Sequence, residues 1–304
     1  MIKVFKCKSY EIALQQSKTV LEPVAVETEY GDSYFGVKDG AVVELLHHGK
    51  FSEEFPAATS FYKQGLTKRY DNFIVSHIDA DTILGIMWAA GFLKPTKLVL
   101  KLSELIGEVD IKGFHWFMEF KYNNIPKMLQ EKFLAIGSVI SSWKFQEKND
   151  MEDISRDVHK LILKIKDLIL FNVPEDIILR NKNFIEKKEI IKSNSVVKEL
   201  SIPGIMVVYK GDTFLLDGYS VNDINNDIVV HYNTGSNTIN ISCKDEEIAK
   251  KYFGSTGVIL PLQTFFNEEA GGRITVGGSP RDKKLQVEYL EAFVSFIRRE
   301  FLNI

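Results

Sequence analysis

Three side chains of types that commonly bind metal ions in proteins follow a strand-like segment near residue 75. The apolar run Phe73–Val75 leads through Ser76 into His77, Asp79 and Asp81. Alternate residues of an extended chain project to the same side, so this spacing brings one imidazole and two carboxylates toward one point. Such a ligand set suits a divalent cation, with manganese expected and magnesium or zinc as alternatives. The competing interpretation is a solvated loop in which Asp81 only caps the helix that follows.

Two further groups of residues have the same kind of chemistry. His47 and His48 precede Gly49 at the end of a strand-like run. Adjacent strand residues point to opposite sides, so one imidazole would bind metal while the other contacts a phosphate group, in either order. Asp110 is a candidate to bridge two metal ions, and His115 is a candidate ligand, general acid or substrate contact. The alternatives are an exposed histidine pair and an ordinary surface turn.

A glycine-rich segment close to the end of the chain has the composition of an anion-binding loop. It combines glycines with two guanidinium groups and a hydroxyl, at positions Gly271, Gly272, Arg273, Gly277, Gly278, Ser279 and Arg281. Backbone N–H groups and guanidinium groups both bind phosphate oxygens. The segment is therefore a candidate substrate-binding loop, and the alternative is a glycine-rich hairpin without a ligand.

The elements that position these residues predict two domains of different type. Residues 1–195 are expected to form an α/β domain with a mainly parallel sheet and flanking helices. Its predicted strands lie at 2–7 (as an edge strand), 24–28, 41–46, 73–77 and 97–100, and its helices at 81–93 and within 125–171, where the acidic residues 150–153 mark a helix start. A charged helix over 174–199 leads to residues 200–304, a smaller mixed α+β domain. Its predicted strands lie at 205–209, 213–216, 228–232 and 238–242, with hairpin turns at 210–212 and 233–237 and a final helix at 283–301.

Composition limits the classes of function. The chain has 304 residues and a formal net charge of −3, so a local group of residues or a bound metal must hold any anionic substrate. Cys7 and Cys243 lie far apart in the sequence, which favours a reducing cytoplasm over a disulfide framework. The first residues lack the apolar core of a secretion signal, and the apolar runs carry charges, so no membrane span is expected. The sequence leaves open whether the protein forms a homodimer.

The first of these motifs resembles that of the DHH phosphoesterase superfamily, in which a strand is followed by one His and two Asp at the spacing seen here. The segment Gly271–Gly278 is similar to the family's C-terminal Gly-Gly-His-x-x-Ala-Ala-Gly loop in length and in three glycines. Arg273 stands where that loop has its histidine, and Val276 and Gly277 replace the two alanines. The resemblance covers most of the chain in architecture and about twenty residues in motif.

This resemblance implies a metal-dependent phosphohydrolase, a phosphodiesterase or phosphatase that acts on nucleotides or short oligonucleotides. It implies a dinuclear metal site in the first domain and a second domain that grips the substrate. Of the motif residues, the resemblance assigns metal binding to His77, Asp79, Asp81, Asp110, His47 and His48, and catalysis to His77, Asp79, Asp81 and His48. The glycine-rich loop and His115 would contact substrate.

The chain departs from the family pattern at its histidine pair. His47 and His48 lie before the first motif and lack the aspartate that precedes them in the family. This departure favours an alternative, a catalytically inactive nucleotide-binding or regulatory protein of the same fold. A mononuclear hydrolase of amides or esters is a third hypothesis, but such a substrate has no need of two guanidinium groups.

Overall fold

The structure is a computed structural model that describes residues 2–30, 33–46, 55–143, 149–211, 218–266, 270–280 and 283–304. The chain divides into two compact units, Met1–Ile111 with Ile125–Asn181, and Lys112–Asn124 with Lys182–Ile304. The first contains a mainly parallel sheet and the second a mixed sheet, which confirms the predicted fold class. The assignment of residues 1–195 and 200–304 to separate domains stays a prediction.

Strands of the first unit form one sheet and a short hairpin. In chain order they are β1 (Lys3–Cys7), β2 (Val24–Val26), β3 (Glu29–Tyr30), β4 (Ser33–Tyr34), β5 (Val43–Leu45), β6 (Asn72–Val75) and β7 (Met151–Asp153). The sheet has the order β5-β2-β6-β1-β7, and β3 pairs with β4. All neighbours in the sheet are parallel except β7, which runs antiparallel to β1.

Helices cover the sheet and connect its strands. In the first unit they are α1 (Tyr10–Ser17), α2 (Ala57–Lys63), α3 (Ala80–Ala89) and α4 (Lys97–Lys112); after the short α5 (Phe114–Trp116) of the second unit come α6 (Lys127–Ser141), α7 (Ser155–Leu170) and α8 (Glu175–Ser195). Side chains on both faces of the parallel strands are buried, such as Ala25 and Ile74 on one face and Val24 and Phe73 on the other. Burial on both faces explains why these strands read as continuous apolar runs in the sequence.

Three sequence predictions for this unit are wrong. The predicted strand at 97–100 is the first turn of α4, because buried residues recur at helical spacing at Val99, Leu102 and Ile106. The first strand is not an edge strand, since β7 pairs with its outer side. The acidic residues 150–153 predicted a helix start, whereas Met151–Asp153 forms that outer strand and the helix begins at Ser155.

The second unit is built on its own mixed sheet. Its strands are β8 (Met206–Gly211), β9 (Ser220–Val221), β10 (Ile224–Asn225), β11 (Ile228–Asn233), β12 (Thr238–Cys243), β13 (Gly271–Gly272) and β14 (Val276–Gly278), and its later helices are α9 (Glu246–Phe253), α10 (Ile259–Phe266) and α11 (Glu288–Ile297). The sheet order is β13-β14-β12-β11-β8, with only the β8–β11 pair parallel among the described strands. The hairpin predicted at 233–237 is confirmed, and the predicted strand at 213–216 lies outside the described residues.

A close approach of α4 to the start of α2 depends on a glycine. A Cβ atom at Gly107 would lie 2.3 Å from Cγ of Pro56 and 3.7 Å from Oδ1 of Asp81. A side chain here would therefore push α4 away from α2. No helix in the described part of the chain is long and apolar enough to cross a membrane.

We expect Gly107→Ala to lower the free energy of unfolding by about 1–3 kcal/mol, because the methyl group overpacks the contact with Pro56. Gly137→Ala is the matched control, since among the described residues no atom lies within 4 Å of the Cβ position there. That change in α6 is expected to raise the free energy of unfolding by about 0.5–1 kcal/mol through helix propensity. Urea unfolding followed by circular dichroism measures the free energy of unfolding of both variants. A change in the same direction in both would contradict the packing explanation.

Candidate metal centre

Two parallel strands of the first unit end side by side at one edge of the sheet. β2 pairs with β6 in a register that places Val26 beside Val75, so Glu27 and Ser76 leave the sheet together. In sheets of this type the carboxyl ends of the strands form the usual binding site. The polar residues that follow β6, beginning with Ser76 and His77, therefore start at this edge.

Glu27 occupies this edge in an unusual backbone conformation. Its φ angle is 47°, in the left-handed region that a residue other than glycine adopts at a cost of about 1–3 kcal/mol. Its N–H donates to the carbonyl of Leu45 at 3.2 Å, and its own carbonyl accepts from the N–H and the hydroxyl of Ser76. The side chain is almost fully buried, at 1% exposure. The local hydrogen bonds thus hold a buried carboxylate at the edge of the sheet.

Asp81 lies in the first turn of α3 and is also buried, at 1% exposure. Its two carboxylate oxygens accept hydrogen bonds from the backbone N–H groups of Ala57 at 2.7 Å and Ala58 at 3.1 Å. These donors are the first residues of α2. Asp81 therefore does not cap its own helix, and its orientation is fixed by another helix.

Asp110, in the last turn of α4, completes a group of three carboxylates. Glu27, Asp81 and Asp110 each offer one oxygen, and these oxygens all lie within 4.8 Å of one another. Oxygen ligands at this spacing could hold a hard divalent cation. The structure thus brings two sequence-predicted ligands, Asp81 and Asp110, together with a glutamate that the sequence analysis missed.

His77 and Asp79 form a pair beside this group. Nε2 of His77 lies 3.2 Å from Oδ2 of Asp79, and Nδ1 lies 2.8 Å from the hydroxyl of Ser76. The other oxygen of Asp79 caps α3 by accepting from the N–H of Thr82 at 2.8 Å. Local hydrogen bonds set the orientation of both side chains. In the described residues neither His77 nor Asp79 belongs to the group of three carboxylates, so their convergence with Asp81 on one metal ion stays a prediction.

The electrostatics of the site follow from burial and like charge. Burial, followed by repulsion from neighbouring carboxylates, raises the pKa of Glu27 and the pKa of Asp81 well above their usual ranges. Burial also opposes the charge of His77, but its contact with Asp79 and the nearby carboxylates outweigh burial and raise the pKa of the imidazole. Burial favours the neutral form of Asp79 too, yet the contacts with His77 and Thr82 lower its pKa to about 2. The site favours bound positive charge.

The remaining predicted residues lie elsewhere or outside the described residues. His47, His48 and Arg281 fall outside them, although in the sequence the histidine pair follows soon after β5. The backbone of His115 belongs to α5.

The predicted glycine-rich loop forms the hairpin β13–β14. A Cβ atom at Gly272 would lie 2.3 Å from Cα of Gly277, so strand packing alone requires a glycine there. The hydroxyl of Ser279 accepts from the N–H of Ile239 at 3.0 Å, which gives this residue a structural partner in the sheet. The role of these residues in substrate binding stays a prediction.

Comparisons with known proteins give no family. No family model and no curated protein sequence matches the chain. One similar solved structure is a pGpG-specific phosphodiesterase, PggH from Vibrio cholerae, at 10% identity and a TM-score of 0.37, covering 92% of this chain and 100% of that chain. An uncharacterized protein from Helicobacter pylori G27 is similar at 12% identity and a TM-score of 0.21, covering 97% and 88% of the two chains. Both TM-scores lie below 0.5, so neither similarity supports an argument about fold or function.

We expect the melting temperature of the metal-free protein to fall as pH rises from about 5 to 8. A carboxyl whose pKa is raised by folding keeps its proton in the folded state after the unfolded chain has lost it, so stability decreases with pH. The raised pKa of His77 acts in the same direction, since its contribution is lost as pH rises through the folded value. Added Mn²⁺ should offset this loss, with a larger increase in melting temperature at pH 8 than at pH 5.5 because protons compete with the ion.

Glu27→Gln tests this explanation, because it replaces one buried carboxyl group that can ionise by a neutral amide of similar shape. The variant should show a weaker decrease of stability with pH and a smaller response to Mn²⁺. Differential scanning fluorimetry on chelator-treated protein measures both quantities. An equal response to Mn²⁺ at both pH values, or in both proteins, would contradict the assignment of the centre.

Proposed function

We propose that the protein is a metal-dependent phosphohydrolase, a phosphodiesterase or phosphatase that acts on nucleotides or short oligonucleotides. The observation that carries this proposal is the group of carboxylates from Glu27, Asp81 and Asp110 at the carboxyl edge of a parallel sheet. Three such oxygens so close together, two of them on buried side chains, favour a proton or a cation among them. The position in the fold is that of a typical α/β active site.

The donor set fits a divalent cation that accepts both oxygen and nitrogen ligands. Glu27, Asp81 and Asp110 would supply carboxylate oxygens. The pair formed by His77 and Asp79 would add an imidazole and a fourth carboxylate. Manganese accepts this mixture, with magnesium favoured by a purely oxygen set and zinc by more imidazoles. When bound, such ions activate water and neutralise the charge that develops on a phosphoryl group. The predicted ligands His47 and His48 would add further imidazoles.

The protein's own residues contribute by holding these groups in place before substrate binds. Asp81 is oriented by the N–H groups of Ala57 and Ala58, and Asp79 by the N–H of Thr82. Fixed ligands need little reorganisation during the reaction, which is a major source of rate enhancement in enzymes.

A phosphate-bearing substrate is favoured by two features of the sequence. One is the resemblance of the His77, Asp79 and Asp81 motif to the DHH phosphoesterases. The other is the glycine-rich segment with Arg273, whose guanidinium group suits phosphate oxygens.

We expect Asp79→Asn to abolish Mn²⁺-dependent hydrolysis of bis-p-nitrophenyl phosphate while changing the melting temperature little. Asparagine remains a good N-cap for α3, but it lacks the charge that supports metal binding. Asp245→Asn is the matched control, because Asp245 caps α9 by accepting from the N–H of Ile248 at 2.8 Å. The control should keep full turnover. Unchanged turnover in Asp79→Asn would overturn the proposed role of this carboxylate.

We expect Arg273→Ala to raise KM for phosphate-bearing substrates by one to two orders of magnitude. A charge-assisted hydrogen bond contributes about 1.5–3 kcal/mol, which corresponds to a change of this size. Steady-state kinetics with a panel of nucleotides, cyclic dinucleotides and short RNA measures the effect, with the exposed Arg299→Ala as control. Equal KM values in Arg273→Ala and the parent would exclude this loop as the phosphate contact.

A panel in which nothing is hydrolysed, while nucleotides still raise the melting temperature, would favour the alternative of an inactive nucleotide-binding or regulatory protein. The metal content of protein purified without chelator separates the two hypotheses further. Bound metal with hydrolysis supports the enzyme, and nucleotide binding without metal supports the alternative.

A further inference from the structure

Ser76 connects two parts of the candidate metal centre. It follows β6 directly, and its hydroxyl donates a hydrogen bond to the backbone carbonyl of Glu27. Its backbone N–H donates to the same carbonyl at 3.4 Å. The same hydroxyl oxygen lies 2.8 Å from Nδ1 of His77. One serine thus contacts the glutamate in its left-handed conformation and the imidazole beside it.

The chemistry of these contacts determines where the imidazole carries its hydrogen. A serine hydroxyl has one hydrogen, and the carbonyl of Glu27 can only accept. Because the hydrogen of Ser76 is used there, the contact with His77 requires Nδ1 to be the donor. The other ring nitrogen, Nε2, then faces Asp79, with Oδ2 at 3.2 Å. Without metal, a proton on Nε2 donates to this carboxylate, and a bound cation would take the place of that proton.

We propose that Ser76 is the positioning residue of the metal centre. It fixes His77 with a hydrogen on Nδ1, so that Nε2 is the ring nitrogen that can exchange its proton for a metal ion. Histidine ligands in metalloproteins usually donate their second N–H to such an outer partner, which sets the tautomer and the ring orientation. The same hydroxyl stabilises the backbone turn that aims Glu27 into the centre. This inference rests on the metal dependence in the proposed function.

The tautomer can be measured in the unchanged protein. We expect ¹⁵N spectra of histidine-labelled, zinc-loaded protein to show His77 with hydrogen on Nδ1 and metal on Nε2. The resonances are assigned by their absence from His77→Gln. A His77 ring with its hydrogen on Nε2 in the metal-loaded protein would overturn the proposal without any change at Ser76.

Variants of the hydroxyl give a second test, with Mn²⁺ affinity from titration calorimetry as the readout. Ser76→Ala should weaken Mn²⁺ binding by about 10–100-fold, the usual effect of losing an outer partner of a metal ligand. Ser76→Thr keeps a hydroxyl and should restore most of the affinity. Either an unchanged affinity in Ser76→Ala or no recovery in Ser76→Thr would overturn the role of the hydroxyl.

The matched control is Ser155→Ala in the same unit. Ser155 is buried, and its hydroxyl accepts from the N–H of Val4 at 2.8 Å, at the β1 side of the sheet. This change should lower the melting temperature and leave Mn²⁺ affinity unaltered. Weaker Mn²⁺ binding of the same size in Ser155→Ala would mean that Ser76 acts only through general stability.

The failure of this inference differs from the failure of the proposed function. A parent protein that binds Mn²⁺ and hydrolyses phosphodiesters, with Ser76→Ala behaving identically, overturns the inference alone. A parent that binds no divalent cation overturns both. A parent that binds Mn²⁺ through an Nε2 ligand set by Ser76, yet hydrolyses no phosphoester, overturns the proposed reaction and supports the inference.

Discussion

The confinement of negative charge at the edge of the first sheet is the constraint on which the rest of this unit depends. Glu27 and Asp81 are buried almost completely and share their surroundings with Asp110. Carboxylates so placed oppose folding unless a proton or a cation joins them. The backbone N–H groups of α2 stabilise Asp81, and Gly107 permits α4 to approach the start of that helix. Ordinary elements of the fold thus serve to hold a group that is unfavourable by itself.

Strand topology explains why residues distant in sequence meet at this place. The parallel pairing of β2 with β6 puts the carboxyl ends of both strands at one edge, although about fifty residues separate them. Glu27 and Ser76 therefore leave the sheet as neighbours. The hydrogen bonds between them join the two strand ends, so the conformation of Glu27 depends on the backbone that leads to His77 and Asp79.

The sequence predicted the features that are encoded within short segments. The buried parallel strands, the helix after β6 and the run of His77, Asp79 and Asp81 are all visible in local patterns. Glu27 follows three consecutive apolar residues, so the local pattern includes it in the strand predicted at 24–28 and does not distinguish it as a site residue. Its left-handed turn is set by bonds to Leu45 and Ser76, which no local pattern contains. The strand Met151–Asp153 likewise has no signal in its own segment, because its pairing partner β1 lies at the start of the chain.

That pairing has a consequence for the order in which the protein can fold during synthesis. The residues of the carboxylate group have all left the ribosome once α4 has emerged, since they precede residue 111. One edge of the sheet is then still unpaired, because the antiparallel neighbour of β1 is translated about 150 residues after β1 itself. An exposed strand edge invites pairing with another chain. The nascent protein thus passes through an interval in which the three carboxylates are present and the outer edge of its first strand is unpaired.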